Sequence, residues 1–405
     1  MGLSVDFTND KNKFSLHTSA KLNYSSVEFE NCLSIIPHTI LFEYGIKDYE
    51  IEVHSHPLFS HLFFKNSGSL IPFDLFGAAF WLITRYEEYL PHKTDSFNRF
   101  HYNTSVAYQY SFIDFPLVNH WLNELSVLIK KNFQEINLKK RDYNFISTID
   151  IDNAYKYKYK GFVRSLAGYI SDLKSGKLKN VKARTQILFS NKTDPFDSYE
   201  FLLQKNSEYN IKSIYFFLLG DYGKNDKNHS ANNINFQSLI KHIADYALIG
   251  IHPSFGSTNK LQQLKIEVSR LAGITHKQIT KSRQHFSILK FPDTYRSLIQ
   301  SGLTDDFSMG YTNINGFRAS YCYPFKWYSL EDEFSTSLII HPFCISANTL
   351  DYLEIKENKL FMDSANLMIK RVKEFGGELI AIFHNDAFTQ KMKENYTQFL
   401  KSAKS

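Results

Sequence analysis

The sequence predicts an α/β protein in which a smaller α+β N-terminal part precedes a longer series of alternating strands and helices. Two observations carry this. From residue 144 onward, short runs rich in Ile, Phe and Tyr alternate with segments of helical spacing, the pattern of parallel strands joined by crossover helices. Before residue 141 the runs are shorter, and two amphipathic helices follow one another without such alternation.

In the N-terminal part, "YEIEVHSHPLF" reads as short alternating runs. "PFDLFGAAFWLITRYEEYLP" reads as a helix capped by Asp74 and stopped by Pro91, and "LVNHWLNELSVLIKKNF" as a second helix. The charged "NLKKRDYN" then leads into a strand. The boundary is placed there, giving an accessory domain over 1–140 and a second domain over 141–405.

In the second domain, strands are expected at "FISTIDI", "KSIYFFLL", "LIGIH", "SLIIHPFCI" and "ELIAIF", with extended segments at "ITKSRQHF" and "DFSMGY". Helices are expected at "SYEFLLQKNSEY", "FQSLIKHIADYA", "LQQLKIEVSRLA", "DTYRSLIQSG" and "SANLMIKRVKEFG". About seven such units fit an incomplete barrel and an open sheet equally.

Composition narrows the function classes. With 43% hydrophobic and 22% charged residues the chain is globular rather than disordered, and its 16% aromatics serve mostly as core. A net charge of +6 suits anionic partners such as sugar acids, phosphates or a membrane face, but falls short of a nucleic-acid signature. Three cysteines, Cys32, Cys322 and Cys344, form no CxxC pair and read as reduced thiols. The opening "MGLSVDFTNDKNKF" lacks a secretory pattern, and the apolar "FDLFGAAFWLI" is too short to span a bilayer. The expectation is a soluble cytoplasmic protein of unassigned oligomeric state.

The informative polar residues fall at the carboxyl ends of strands: Asp150 and Asp152, His252, Arg283 and His285, His384 and Asn385. In α/β barrels this end builds the active site. Two adjacent carboxylates repel unless a cation compensates. A divalent ion on Asp152 and histidines would remove that cost and acidify a bound water. Asp150 then stays ionised as general base, and His384 protonates a leaving amine or alcohol. Each residue alone has a plainer reading. Asp-x-Asp at a strand end is often a turn or cap, His252 before Pro253 a strand end, and His285 a satisfied buried histidine. Their coincidence at matching strand ends favours chemistry.

At these residues the sequence resembles the polysaccharide deacetylases of the NodB-homology fold, in the Bacteroidetes-type branch with an extra N-terminal domain. "PFDLFGAAFWLITRYEEYLPH" and "DSFNRF" resemble that domain. "STIDIDNAY", "TDPFDSYEFLL", "GIHPSFGS", "SRQHFSILKFPDTYRSLIQSGLTDDFSMGY", "GFRASYCYPFKWY" and "LIAIFHND" resemble the successive blocks of the deacetylase domain. The resemblance implies a distorted (β/α) barrel of about seven strands. It implies Asp150 as base, Asp152 and His252 as metal ligands, Arg283 orienting the base and His384 as general acid. The metal would be zinc, with cobalt, nickel and manganese as the other candidates. The implied reaction removes an acyl group, N-acetyl in the first place, from a sugar or glycan precursor.

Two departures stand out. The second histidine of the family's H-S/T-x-x-H motif falls on Gly256, so the third ligand is assigned to His285. An aspartate of the pattern near Ala347, in "CISANTLDY", is missing. These departures keep open a non-catalytic saccharide-binding scaffold, beside an amidase acting on a non-sugar amide. Arg318, Asn385 and Tyr155 complete the set as substrate-binding candidates. Asp305 and Asp306 read as a turn at the head of a strand. The segment "KYKYKGFVRSLAGYISDLKSGKLKNVKAR" reads as a solvated face or as a rim for an acidic glycan or membrane-linked precursor.

Overall fold

The computed structural model describes residues 2–190, 192–347 and 358–404. The fold is mixed α/β with one large sheet. The N-terminal part holds a parallel pair, β1 (Leu22–Asn23) with β2 (Leu33–Ser34), and a hairpin, β3 (His54–His56) with β4 (Ser60–Leu62). Its helices at Leu75–Ile83 and Leu117–Asn132 bury Trp81 and Trp121 against Phe63 and Phe73. Asp74 caps the first helix, accepting from the Gly77 amide at 2.9 Å. Only glycine fits there, because a Cβ on Gly77 would lie 2.4 Å from the Asp74 carboxylate.

That helix stops at Ile83, well before Pro91. Arg85 takes the left-handed conformation (φ 58°), and Tyr86–Glu88 form a separate 3-10 turn. A buried ion cluster accounts for the break: Arg85 donates to Glu87 and Glu88 at 2.7 Å each, and Arg318 donates to both oxygens of Glu88 at 2.8 and 2.6 Å. Burial alone would raise the Glu88 carboxyl, but the charges of Arg318 and Arg85 outweigh it and hold it at about 2. Replacing Arg318 by methionine is expected to destabilise the protein by about 3–5 kcal/mol, because it strands part of a buried charge set. Denaturant unfolding would measure this, and an unchanged midpoint would contradict it.

The large sheet contains β5 (Asn144–Ile151), β6 (Lys212–Phe217), β7 (Leu248–Ile251), β8 (Lys281–Ser282), β9 (Asp305–Asp306), β10 (Phe325–Ser329), β11 (Phe334–Ile340), β12 (Ile345–Ser346) and β13 (Glu378–His384). Among the described residues their order is β10-β11-β9-β8-β7-β6-β5-β13-β12, nine strands, parallel except for the β10–β11 hairpin. The single strand expected at "SLIIHPFCI" is divided at His341–Pro342, where proline offers no N–H. The dividing segment nevertheless stays hydrogen bonded on both sides. The Phe343 amide donates to Met309 O at 2.9 Å, and the Cys344 amide to Ile380 O at 3.3 Å. Asp305 and Asp306 are β9 itself rather than a turn, in register with Lys281 and Ser282. The expected elements do not include β10 or the helices Phe162–Lys174, Leu178–Phe189 and Gln390–Lys404.

Both faces of the central strands are buried, which explains their continuous apolar runs. On one face Ile146, Ile214, Phe216, Phe307, Phe343, Ile380 and Ile382 form a compact cluster. On the other, a larger cluster joins the strands to the helices. The N-terminal apolar cluster, from Leu33 to Ile129, takes in Tyr311 and Leu330 from the later chain. Among the described residues no helix is long and apolar enough to cross a membrane.

Candidate functional site

Strand periodicity sets the first residue of the site. Residues two apart share a face, so Thr148 and Asp150 continue the face of Ile146 and stand above the small apolar cluster. Register places His384 on β13 directly beside Asp150. Arg283 follows β8, wholly buried, its guanidinium 5.0 Å from the Phe216 ring and 5.5 Å from that of Phe343. It donates to Phe307 O at 3.0 Å, Thr148 Oγ1 at 2.7 Å and Asp150 Oδ1 at 3.4 Å. Asp150 Oδ2 lies 4.0 Å from both His252 Nε2 and His384 Nε2. Among the described residues, Nδ1 of His384 has no hydrogen-bond partner.

One step further along the chain, Asp152 stands with its side chain 33% exposed. Its Oδ1 is 3.1 Å from His252 Nε2 and its Oδ2 is 3.5 Å from His285 Nε2. Candidate ligand atoms of these three residues all lie within 4.8 Å of one another. Both imidazoles are fixed from behind. His252 Nδ1 donates to Arg283 O at 2.5 Å, and His285 Nδ1 faces Asp226 Oδ1 at 3.0 Å. With the Nδ1 protons so committed, both Nε2 lone pairs meet the Asp152 carboxylate. Acceptors facing acceptors at such distances require a proton or a cation between them. An N2O donor set with its backing partners suits zinc, so the residues present fit the implied metal. The same contest appears in the charges. Burial opposes ionisation of Asp152, but the His285 charge and the hydrogen bonds of His252 and His285 hold it well below the usual carboxylate range.

His285 owes its position to long-range contacts. Its amide donates to Pro253 O at 3.1 Å. The next two residues, Phe286 and Ser287, take left-handed φ values of 56° and 52°, a costly conformation for side-chain-bearing residues. Arg99 from the N-terminal part holds that turn by donating to Phe286 O at 2.7 Å, while Phe97 stacks on Phe286 at 4.6 Å and Phe286 on His285 at 4.0 Å. This is the structural contribution of "DSFNRF" to the site.

Gly256, which has no side chain to offer a metal, serves the site by its backbone. Its amide and that of Phe255 donate to Asp226 at 2.9 Å each. Burial raises the Asp226 carboxyl, but the His285 hydrogen bond and these two amides bring it below its ordinary value. Asp226 was not singled out from the sequence, although it follows β6 in "GDYGKNDKNH" and the rule of strand ends covers that loop. Replacing Asp226 by asparagine is expected to lower divalent-metal affinity about 10–100-fold, as loss of an imidazole's backing carboxylate does. Competitive chelator titration would measure it; an unaltered dissociation constant would remove Asp226 from this role.

A pH dependence follows from His285. Burial lowers its affinity for a proton, but the Asp152 charge and the hydrogen bonds of Asp152 and Asp226 outweigh burial and push its pKa up to about 9. In the metal-free protein this raised value contributes stability that is complete below the ordinary histidine pKa, near 6.5, and lost as pH rises through about 9. A cation must displace that proton. Metal affinity should therefore rise with pH until about 9, and binding at neutral pH should release a proton. Calorimetry in buffers of different ionisation enthalpy would detect it; a buffer-independent heat would contradict it.

The three residues expected to touch substrate are occupied elsewhere. Arg318 is 2% exposed and is held by Glu88 and by Gly310 O. The Asn385 amide nitrogen donates to Asn153 O, Phe196 O and Tyr199 Oη, pinning the turn after His384. Tyr155 is core, its ring packed on Tyr159, Tyr199 and His229. Burial turns the polar atoms of Arg318 and Asn385 to protein partners and sets the Tyr155 ring in the core. Ala347 is buried in the larger core cluster; the rest of "CISANTLDY", from residue 348, lies outside the described residues.

Residues 1–134 match the model of a family of unknown function, DUF7033. No curated protein matches the chain. Among solved structures the chain is similar to one from Mycobacterium smegmatis assigned by name as a polysaccharide deacetylase, at 12% identity, covering 66% of this chain and 87% of that one, with TM-score 0.39. It is similar to a family 4 carbohydrate esterase from Streptomyces lividans at 12% identity, covering 66% and 91%, with TM-score 0.32. It is also similar to a CE4 family pseudoenzyme from Bacillus anthracis at 12% identity, covering 66% and 62%, with TM-score 0.29.

Proposed function

We propose that this protein is a metal-dependent hydrolase that removes an acyl group, in the first place N-acetyl, from a sugar or glycan precursor. The observation that carries the reading is the arrangement of Asp152, His252 and His285, whose candidate donor atoms lie within 4.8 Å of one another beside the separate carboxylate of Asp150. A sugar as the substrate is supported by the resemblance of the sequence's motif blocks to the polysaccharide deacetylases. The architecture that suits this is a closed, distorted barrel of about seven principal strands. Supporting closure are the hydrogen bonds of Phe343 and Cys344 to Met309 and Ile380, and the compact apolar cluster inside. We place the domain division near residue 141.

Asp152, His252 and His285 would hold the ion, zinc by preference; when bound, it would supply a Lewis acid for the acyl oxygen and acidify water. Asp150, which Arg283 holds in place beside the small apolar cluster, accepts a proton from the attacking water. The water oxygen bonds to the acyl carbon, and the bond from that carbon to nitrogen breaks. His384, across the register from Asp150, gives its proton to the departing nitrogen. The products are a free amine and a carboxylate.

The test uses the whole chain, loaded in turn with zinc, cobalt, nickel and manganese. Each form is offered N-acetylated sugars, O-acetylated sugars and small amides while acetate release is followed. Acetate from the N-acetylated sugars supports the reading. A stoichiometrically loaded protein that cleaves only small amides would replace the substrate, and one that binds no metal would end the proposal.

A further inference from the structure

The helix Phe162–Lys174 is turned inside out. A helix on a globular protein ordinarily buries its apolar stripe and shows its polar face to water. Here none of the residues is buried, and the apolar stripe is the exposed one. Phe162 is 82% and Val163 78% exposed, and Leu166, Ile170 and Leu173 about half, all within one arc of the helix. The inward face is polar. Arg164 donates to Asn228 O at 3.0 Å and lies over the Tyr222 ring at 4.2 Å. Asp172 accepts from Arg184 at 2.7 Å, and Tyr169 meets Thr185 at 2.9 Å, both on the partner helix Leu178–Phe189. Gly168 is where Arg184 crosses, since a Cβ would lie 2.4 Å from its guanidinium. Polar contacts therefore hold the hairpin and leave its apolar stripe outward, and Leu178 and Phe189 on the second helix are exposed as well.

The surroundings are strongly basic. Residues 156–184 carry nine Lys or Arg against a single acid, Asp172. Asp172 is engaged by Arg184, while Lys174, Lys177, Lys179 and Lys182 are exposed. Exposed apolar stripes call for a cover, and the charge narrows what that cover is. A second copy of this hairpin would bring like charges together. A nucleic acid would answer the lysines but not Phe162, Val163, Leu166 and Ile170. An anionic lipid surface answers both, with acyl chains for the stripe and headgroups for the lysines.

We propose that the 162–189 hairpin docks this protein onto an anionic membrane surface, lying in the headgroup region with Phe162, Val163, Leu166 and Ile170 inserted. The proposal does not rest on the hydrolase reading, and the metal-free protein should dock equally well. The hairpin follows the strand that carries Asp150 in the order of the chain.

The test is co-sedimentation of the full chain with phosphatidylcholine vesicles, with and without phosphatidylglycerol. Binding is expected only with phosphatidylglycerol and should fall as salt is raised. Phe162→Ser and Leu166→Ser should each weaken it about tenfold. Lys177→Gln, Lys179→Gln and Lys182→Gln should each weaken it about fivefold. All these side chains are solvent-facing, so circular dichroism should be unchanged; Phe162→Trp should blue-shift its fluorescence on vesicles. Absence of binding, or equal binding to both vesicles, would overturn the proposal. So would light scattering that shows a dimer which the Phe162→Ser, Leu166→Ser protein cannot form, because the stripe would then be covered by a second copy.

Discussion

Replacing His285 by alanine is expected to strip the divalent ion from the protein. His285 Nε2 is one of two imidazole nitrogens facing Asp152, and residue 256 has no side chain that could take its place. What remains is one carboxylate and one imidazole. Even loss of a partner behind a ligand costs about 10–100-fold in affinity, so loss of the ligand itself should exceed about 100-fold. Elemental analysis after dialysis gives the readout, and His285→Gln serves as the variant that keeps more of the volume. The substitution also leaves Asp152 and Asp226 without the imidazolium that compensates them in the metal-free state. A lower melting temperature should accompany the loss, so metal content must be measured below it. Full retention of the ion by a folded His285→Ala protein would remove His285 from the ligand set.

Replacing Asp150 by asparagine is expected to leave the ion bound and to lower turnover about 10²–10⁴-fold. The carboxylate lies outside the group of three donors, with its Oδ2 4.0 Å from the nearest imidazole nitrogens, so its loss removes none of the three ligands. Asparagine preserves the shape and can still accept from Arg283, but it has no charge with which to take a proton from water. The neutral side chain also leaves the buried Arg283 guanidinium less well compensated, and Phe216 and Phe343 are weak substitutes for a carboxylate. A moderate loss of stability should therefore appear beside the loss of turnover. Turnover unchanged at full metal content would deny Asp150 the role of base.

The fold was legible where a local period was strong. The strand at 144–151 and the helices at 199–208, 234–246 and 261–275 lie where apolar spacing predicts them. It was less legible at β10 and at the inverted helix 162–174. There the apolar pattern is present but does not tell which side meets protein. The helix expected to reach Pro91 ended early because Arg85 turns back into an ion cluster completed by Arg318, far along the chain.

The site shows the same division. That Asp150, Asp152, His252, Arg283, His285 and His384 come together follows from their common position at strand ends, and parallel strands carry such residues to one side of the sheet. The sequence by itself thus determined which side chains could meet. Only the tertiary structure decided how they meet. It turned His285 toward Asp152 through a left-handed turn held by Arg99, gave it Asp226 as a partner, and withdrew Arg318, Asn385 and Tyr155 into the protein. The physical reason is range. Strand and helix periods express interactions between near neighbours, whereas the direction of an imidazole or guanidinium depends on hydrogen-bond partners far along the chain.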